Sequence, residues 1–511
     1  GAAQQMGDEV LGPARAIAFS PTLPPKSDDA VYGNLVGDFM VAYPPWGGWI
    51  LLATIAGLVV AAAIRARKAG ELGWLDGLQG VGAALLILTG GALALHLIRS
   101  LTGVGFGWIE GRALLARFPA FEVAMALAAV AAALLVTLGL ALGEARFAAV
   151  LVILAAGLAS SAFGGLDFTA LVEAGVAAVL ALAILGRPAR AAGAWVGVLG
   201  VGWFAALALQ ILAPTTAMVI AWPLAAGALV ALLVTAPTRQ VVPRWTLALV
   251  VMALAAAWAD SLAHSLLQAM DMPELPALAL LLLAMSLWPA LWPRARLVNA
   301  SLAAACLAGA IGVALWLHFT NPWSARYPRV AEPLYVVDAG HAWRVSPFEP
   351  DPWTTAVLEA DGGKVSRLNF PTFRRPLWAA PASSIVLAPP EIDITRTAAG
   401  AIAVHAAMAP GATLDLDLKT DAVVLAGAVD GKPAPILGRP GKWTHLNWQA
   451  APDGVTAAFK PVGHGALDIR YAQFTPGWPS AAKPLPAMPA PLMAWDMAGS
   501  TVVAGTLRST W

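Results

Sequence analysis

The sequence predicts a polytopic α-helical membrane protein of about ten spans, followed by a C-terminal, non-cytoplasmic β-sandwich domain. Three observations predict this class. Between Trp46 and His318 the chain is a series of apolar segments, and a hydrocarbon core about 30 Å thick needs roughly 20 helical residues to cross it. Only 12% of all residues are charged, against roughly 25% in soluble domains. After His318 the pattern changes to short alternating runs divided by turn residues.

Composition limits the classes of partner. Hydrophobic residues make up 59% of the chain and the mean hydropathy is +0.72, so the lipid bilayer is the expected surrounding. A net charge of +1 argues against a nucleic-acid partner, which needs a basic surface. The single cysteine, Cys306, excludes an intrachain disulfide. We therefore divide the chain into residues 1–45, a transmembrane helical bundle at 46–318, and a periplasmic β-rich domain at 319–511.

The first 45 residues are not membrane-like. Apolar residues recur at helical spacing between Gln4 and Ala18, which predicts an amphipathic helix ended by Pro21, Pro24 and Pro25. Residues 31–43 mix apolar and aromatic side chains and are compatible with a strand or with a helix on the membrane interface. An aromatic belt then leads into the first span; it consists of Tyr43, Trp46 and Trp49.

Backbone polar groups must be paired within lipid, so the apolar segments are predicted to be helices. The predicted spans are residues 47–64, 78–98, 121–142, 146–165, 168–186, 193–213, 216–235, 245–268, 275–292 and 297–318. Cytoplasmic loops are enriched in Lys and Arg, and alternate breaks carry Arg65, Arg67, Lys68, Arg146, Arg187, Arg190, Arg239, Arg244, Arg294 and Arg296. The breaks at 164–167, 214–215 and 269–274 carry neither residue type.

This charge pattern orients the bundle with residues 1–45 and 319–511 on the same, non-cytoplasmic side. One outer loop departs from the rule, since it holds Arg99, Arg112 and Arg117. The Ala-, Gly- and Leu-rich composition and the lack of N-x-[ST] sites outside the spans favour a bacterial inner membrane with both termini periplasmic.

The tail contains short β-type runs with turn residues such as Asp361-Gly362-Gly363 between them. The predicted strands are residues 334–337, 384–387, 392–395, 401–405, 413–418, 423–425, 444–448, 455–459, 466–471 and about 500–507. Many short strands at this spacing are typical of a β-sandwich. Tryptophans of the tail could line a peptide or sugar groove, but the commoner role is in the core of the sandwich or in packing onto the membrane bundle.

Ionisable residues inside spans are energetically costly, so they are the first candidates for a functional site. They are His96, Glu122, Glu173, Asp260 and His264. Asp260, His264 and Gln268 are four residues apart and form one polar stripe on the eighth span. The candidate intramembrane polar site is therefore Glu173, Asp260, His264 and Gln268. Two interpretations are open: a proton-relay or substrate-binding vestibule, or ordinary interhelical hydrogen bonds and side chains reaching the interface.

No catalytic or metal-binding constellation is predicted in this chain. The sequence has no H-E-x-x-H, no H-x-D and no G-x-S-x-G motif. The histidines of the tail occur singly, at His341, His405, His445 and His464, whereas catalytic zinc needs about three converging ligands.

Two stretches near the start resemble a known family. QQMGDEVLGPARAIAF at 4–19 and DAVYGNLVGDFMVAYPP at 29–45 resemble the junction of membrane-anchored zinc aminopeptidases of the endoplasmic reticulum metallopeptidase and vacuolar membrane protease type. In that family a similar helix closes the peptidase domain and a similar segment leads into the spans. YVVD at 335–338 and SPFEPDPWT at 346–354 resemble its C-terminal β domain. The chain departs from the family pattern at Gly33 and Asp38.

The resemblance implies that this chain is the membrane and C-terminal part of a zinc-dependent exopeptidase. Residues 1–45 would then be the closing helix and linker of an upstream peptidase domain, and zinc and its ligands would lie in that domain, before Gly1. The expected role is to anchor the catalytic domain and shape substrate access for peptides. Two alternatives remain open: a transporter or channel-like protein that uses the stripe of Asp260 and His264, and a non-enzymatic scaffold for other membrane proteins.

Overall fold

The structure is a computed structural model that describes residues 2–22, 28–36, 39–107, 109–164, 167–235, 241–269, 272, 274–397, 400–449 and 453–511. Its internal contacts divide the chain into two compact units, Gly1–Pro322 and Trp323–Trp511. Pro24, Pro25, Asp38 and Arg239, all used in the sequence analysis, lie outside the described residues.

The first unit opens with a helix and a hairpin. Helix α1 (Ala2–Ala18) confirms the predicted amphipathic helix. The segment 31–43 is not a helix but two antiparallel strands, β1 (Val31–Val36) and β2 (Phe39–Tyr43). Val31 pairs with Tyr43 and is buried, and β1 packs against the bundle near Met218 and Trp222. The hairpin therefore ends directly before the first apolar helix.

The rest of this unit is a helical bundle in which each of the ten predicted apolar segments is a helix. The helices are α2 (Gly47–Lys68), α3 (Trp74–Leu101), the short α4 (Arg112–Leu115), α5 (Phe118–Leu142), α6 (Arg146–Gly164), α7 (Phe168–Ile184), α8 (Ala191–Leu212), α9 (Met218–Val234), α10 (Val241–Ala269), α11 (Pro276–Leu291) and α12 (Arg296–Phe319).

Seven of the helices in the described residues are long and apolar enough to cross a membrane: α2, α3, α5, α6, α8, α10 and α12. The apolar helices α7, α9 and α11 have only 17, 17 and 16 residues. At 1.5 Å per residue, 17 residues extend about 25 Å, slightly less than the hydrocarbon core. The chain is therefore an α-helical membrane protein with seven candidate spans by length and composition.

Close helix contact at the centre of the bundle depends on glycine. A Cβ atom added to Gly80 of α3 would lie 1.9 Å from the carbonyl oxygen of Ala194 in α8, and one added to Gly197 would lie 2.1 Å from that of Gly77. Helices in membranes associate largely through such close packing of small residues. Around this contact the core contains the fully buried Leu199, Leu224, Met285 and Trp288.

The second unit is β-rich, as predicted. Its strands are β3 (Arg329–Ala331), β4 (Leu334–Asp338), β5 (His341–Ser346), β6 (Ser366–Leu368), β7 (Leu377–Pro381), β8 (Glu391–Arg396), β9 (Ile402–Ala407), β10 (Thr413–Thr420), β11 (Val424–Val429), β12 (Lys432–Pro433), β13 (Thr444–Gln449), β14 (Val455–Pro461), β15 (Ala466–Thr475), β16 (Leu492–Ala494) and β17 (Thr501–Thr510). One short α-helix, α13 (Pro352–Leu358), follows β5.

Two sheets form most of this unit. The larger has the order β13-β10-β15-β17-β4-β5-β7-β6, and the smaller has the order β12-β11-β14-β9-β8. Leu416 and Ile469 from the larger sheet share one buried core with Val404 and Phe459 from the smaller, so the two sheets pack against each other. Strand β17 lies between β15, its antiparallel neighbour, and β4, its parallel neighbour.

The strand predicted at 384–387 is wrong. This segment packs Ile385 and Leu387 against the core beside β4 but forms no strand. It stands between Pro381 and the Pro389-Pro390 pair, and proline supplies no N–H group for a strand ladder. The prediction also missed β3, β5, β6, β7, β12 and β16. In β5 the reason is a buried charge, Arg344, which breaks the expected apolar pattern.

Candidate functional site

The candidate functional site is a polar cluster where three helix ends of the bundle meet. His96 lies near the end of α3 and is only 3% exposed. Its Nε2 is 2.5 Å from Oδ2 of Asp167, and its Nδ1 is 3.1 Å from Oε1 of Glu274. Asp167 also caps α7, since its Oδ1 accepts hydrogen bonds from the backbone N–H groups of Thr169 and Ala170. One imidazole thus joins two carboxylates that are distant in sequence.

A third carboxylate points into the same cluster. Glu173 lies on α7, less than two turns after Asp167. Its Oε2 is buried and has no hydrogen-bond partner among the described residues. One nitrogen of His96 and one carboxylate oxygen each from Glu173 and Glu274 lie within 4.8 Å of one another. Such a set of donor atoms has the types and spacing needed to hold a metal ion or to share a proton.

The loop after α3 closes one side of this cluster. The ring of Phe106 packs against His96 with centroids 5.2 Å apart, and the guanidinium of Arg99 lies 4.5 Å from the centroid of Phe106. Arg99 is fully buried and donates hydrogen bonds to the carbonyl oxygens of Val104 (2.7 Å) and Gly105 (2.8 Å). A charged side chain therefore folds the loop back over the imidazole and shields it from solvent.

Glu274 lies in the turn before α11 rather than inside a helix. The hydrogen bond with His96 holds the pKa of the Glu274 carboxyl below its usual range, and its own burial opposes this only in part. Glu274 is therefore an ionised carboxylate at neutral pH. The cluster carries negative charge next to a histidine that is almost completely buried.

A second polar contact lies elsewhere in the bundle, between α5 and α10. His264 Nδ1 is 2.6 Å from Oε1 of Glu122, and its Nε2 is 2.9 Å from Nε2 of Gln268. The ring of Phe118 meets His264 edge-on at 5.1 Å. Asp260, one turn earlier on α10, is exposed and makes no ion pair with the described residues.

The structure therefore separates the four residues predicted as a polar site. His264 and Gln268 are in contact, Asp260 is one turn away with an exposed side chain, and Glu173 belongs to the cluster around His96 instead. Asp167 and Glu274 were missed because they lie in breaks between predicted spans. Their position was a signal that could have found them. The breaks that hold Asp167 and Glu274 are predicted to lie on the same side of the bundle as the end of α3.

The β-rich unit buries one ion pair and one glutamate. Nε of Arg344 donates to Oδ2 of Asp361 at 2.8 Å, and both side chains are buried. Burial raises the pKa of the Asp361 carboxyl, but the hydrogen bond and charge of Arg344 outweigh this and hold it below its usual range. Burial and the nearby charge of Asp496 raise the pKa of Glu332 to about 7, against a backbone hydrogen bond from Met497.

Two tryptophans and one histidine of this unit illustrate the local contacts of its aromatic and imidazole rings. Trp478 meets Tyr335 edge-on and lies 5.3 Å from the Arg344 guanidinium. Trp443 lies under Lys419 and Arg470. His445 pairs with Asp417 at the surface, at 2.9 Å. These contacts favour the packing role predicted for the tail tryptophans.

Comparisons with protein-family models, with curated proteins and with solved structures found no match for this chain. The class of protein is given by the fold itself: an α-helical membrane protein whose chain continues into a separate β-rich unit.

Proposed function

We propose that this chain is the membrane-embedded and C-terminal part of a zinc-dependent exopeptidase-like protein. Its bundle anchors a periplasmic catalytic domain, and the bundle and β-rich unit shape the access of peptide substrates. The observation that carries the proposal is the junction at 4–45, whose sequence resembles that of membrane-anchored zinc aminopeptidases. This junction consists of helix α1 and a hairpin that ends at Tyr43, directly before α2 begins at Gly47. Zinc would be bound upstream, and no residue of this chain is assigned to it.

The proposal includes ten membrane crossings with residues 1–45 and 319–511 on the periplasmic side of a bacterial inner membrane. Ten apolar helices in the described residues follow one another with short connections, and Lys or Arg marks alternate connections. Two arginines of the exceptional outer loop have structural partners. Arg99 binds loop carbonyls, and Arg117 donates to the carbonyl of Asn321 (2.6 Å) and lies 4.7 Å from the ring of Trp316. These contacts give both arginines a local structural role, which is compatible with a place in an outer loop.

On this topology the polar cluster lies on the same side of the membrane as the catalytic domain. His96 is near the outer end of α3, Asp167 and Glu173 are at the outer end of α7, and Glu274 precedes α11. The carboxyl groups of this cluster would make the electrostatic potential on that side of the bundle more negative. A negative potential attracts the free amino group of a peptide, which is the end that an aminopeptidase must bind. The expected partners are therefore the bilayer, the upstream domain and peptides.

The test uses the native protein, purified from its own membranes through an antibody to the β-rich unit. We expect mass spectrometry to find peptides of an upstream domain with an H-x-D zinc motif, joined to Gly1 or copurifying with it. We also expect release of N-terminal amino acids from peptides, lost on chelation and restored by zinc. An upstream reading frame without a zinc domain, together with no peptidase activity, would refute the proposal.

A transporter-like function is the second candidate, favoured by the contact that links His264 of α10 to Glu122 of α5. A histidine and a carboxylate 2.6 Å apart inside a helical bundle can exchange a proton. The test is proton-coupled uptake in vesicles with Asp260→Asn and His264→Ala, alongside Asp468→Asn in the β-rich unit as a control. Equal uptake by all three variants and the wild type would exclude this use of the α10 stripe.

A further inference from the structure

The cluster around His96 has more carboxyl groups than basic side chains. It holds three carboxylates, Asp167, Glu173 and Glu274, around one imidazole. In the part of the chain that the structure describes, none of the three pairs with a lysine or an arginine. Arg99, one turn after His96, directs its guanidinium to the carbonyls of Val104 and Gly105. Carboxylates this close together repel one another, and the repulsion is strong where burial lowers the local dielectric.

The hydrogen bonding of His96 shows where a cation would fit. A neutral imidazole has one N–H donor and one lone pair. If Nε2 donates to Asp167 at 2.5 Å, the lone pair of Nδ1 faces the carboxylate of Glu274 at 3.1 Å. A metal ion bound at Nδ1 would take the place of the proton that this nitrogen and the Glu274 carboxylate share in the hydrogen bond seen here. A carboxylate that holds the far nitrogen of a histidine is also the usual companion of a metal-bound imidazole.

Glu173 supplies the third donor. Its Oε2 is buried without a partner among the described residues, and it lies within 4.8 Å of donor atoms from both His96 and Glu274. Metal bonds of about 2.1 Å bring ligand atoms to roughly 3–3.5 Å from one another. A bound metal ion would therefore draw the three donor atoms closer together than they lie here.

We propose that His96, Glu173 and Glu274 bind a divalent transition-metal cation of the Zn²⁺ class, with Asp167 as the residue that orients the imidazole. Imidazole with carboxylates suits Zn²⁺, Mn²⁺ or Fe²⁺, whereas Mg²⁺ and Ca²⁺ prefer sites built of oxygen alone. The cation neutralises the carboxylates and ties α3 to α7 and to the turn before α11. This site belongs to the present chain and does not depend on the peptidase proposal. In a peptidase it would be a metal site additional to the catalytic one.

The test is metal content in the chain of residues 1–511, purified in detergent, stripped with a chelator and dialysed against Zn²⁺ or Mn²⁺. We expect about one ion per chain, with nitrogen and oxygen ligands and no sulfur in its X-ray absorption spectrum. Glu173→Gln keeps the side-chain shape, removes no hydrogen bond seen in the structure, and should weaken binding at least roughly tenfold. His96→Gln should also lose the nitrogen signal.

Glu122→Gln is the matched control, because Glu122 contacts a histidine in the same bundle but belongs to no group of three metal-ligating side chains among the described residues. It should leave metal content unchanged. At equal concentration, Zn²⁺ should also raise the unfolding temperature of the wild type and of the control by more than that of Glu173→Gln. The proposal is overturned if the wild type retains no ion, if Glu173→Gln retains as much as the wild type, or if nitrogen NMR finds His96 doubly protonated in the presence of zinc. None of these measurements depends on peptidase activity, so the metal-site proposal and the peptidase proposal can each fail without the other.

Discussion

The carboxyl of Glu332 shows how burial changes the pKa of an acidic group in the β-rich unit, and this change can be tested. Glu332 is 8% exposed and lies just before β4. Its pKa is about 7 in the folded chain, against 4.5 for an ordinary glutamate. The folded unit therefore holds this proton to a higher pH than the unfolded chain does. The stabilisation that comes from this bound proton is fully present below pH 4.5 and is lost as the pH rises toward 7. Each tenfold change in proton affinity is worth 1.36 kcal/mol, so the loss amounts to about 3 kcal/mol at pH 8.

The perturbation is Glu332→Gln, which keeps the side-chain shape and an oxygen for the Met497 N–H but removes the ionisation. At pH 8 we expect the variant to be more stable than the wild type by up to about 3 kcal/mol, and at pH 4 to match it. Hydrogen exchange of the β4 and β17 amides, compared at equal pH, measures the difference. Glu391→Gln, at an exposed glutamate of the same unit, should change neither value. A gain of equal size at both pH values would refute this reasoning.

Three further outcomes are expected. Arg344→Met removes the hydrogen-bonded cation of the buried Asp361 and leaves only the exposed Lys483, 3.8 Å away. It should destabilise the β-rich unit by up to about 3 kcal/mol near neutral pH. This difference should shrink in acid, because the depressed pKa of Asp361 means that the wild type loses this stabilisation as the pH falls. Denaturant unfolding followed by hydrogen exchange measures both effects. Gly80→Ala should lower the unfolding temperature in detergent, because its Cβ would overlap a backbone oxygen of α8. Gly57→Ala, where nothing lies within 4 Å, should not lower it. Arg99→Gln should release the loop at 102–107 and speed its deuterium uptake, and unchanged uptake would show that other contacts hold the loop.

Most of the bundle was predictable because an apolar segment in lipid must pair its own backbone N–H and C=O groups, and a helix does this within the segment. The ten predicted segments differ from the observed helices by only a few residues at each end. Helix length separates seven candidate spans from α7, α9 and α11, which are as apolar as the others but shorter. Strands in the tail that alternate clearly, such as β9 and β10, were also predicted. Strands that depend on a distant partner, such as β5 with its buried Arg344, were not.

The candidate site was predictable only in part, because its members come from separate helices. Glu173 and His96 were recognised as ionisable residues inside apolar segments. Asp167 and Glu274 gave no such signal, since acidic residues in connections are common. Their approach to His96 depends on how α3, α7 and α11 pack. The stripe on α10 was correctly spaced on one face, yet its histidine is bound by Glu122 of another helix rather than by Asp260.

The position of β17 has a consequence for biosynthesis. During translation β4 is the second strand of the β-rich unit to be made, but its neighbour β17 is the last of the described strands. Until β17 is made, both β4 and β15 present open edges, which are prone to pair with other chains. The larger sheet can therefore be completed only after β17, the last of its described strands, has been made. A protein truncated before Thr501 would keep both edges exposed, and we expect such a product to aggregate or be degraded.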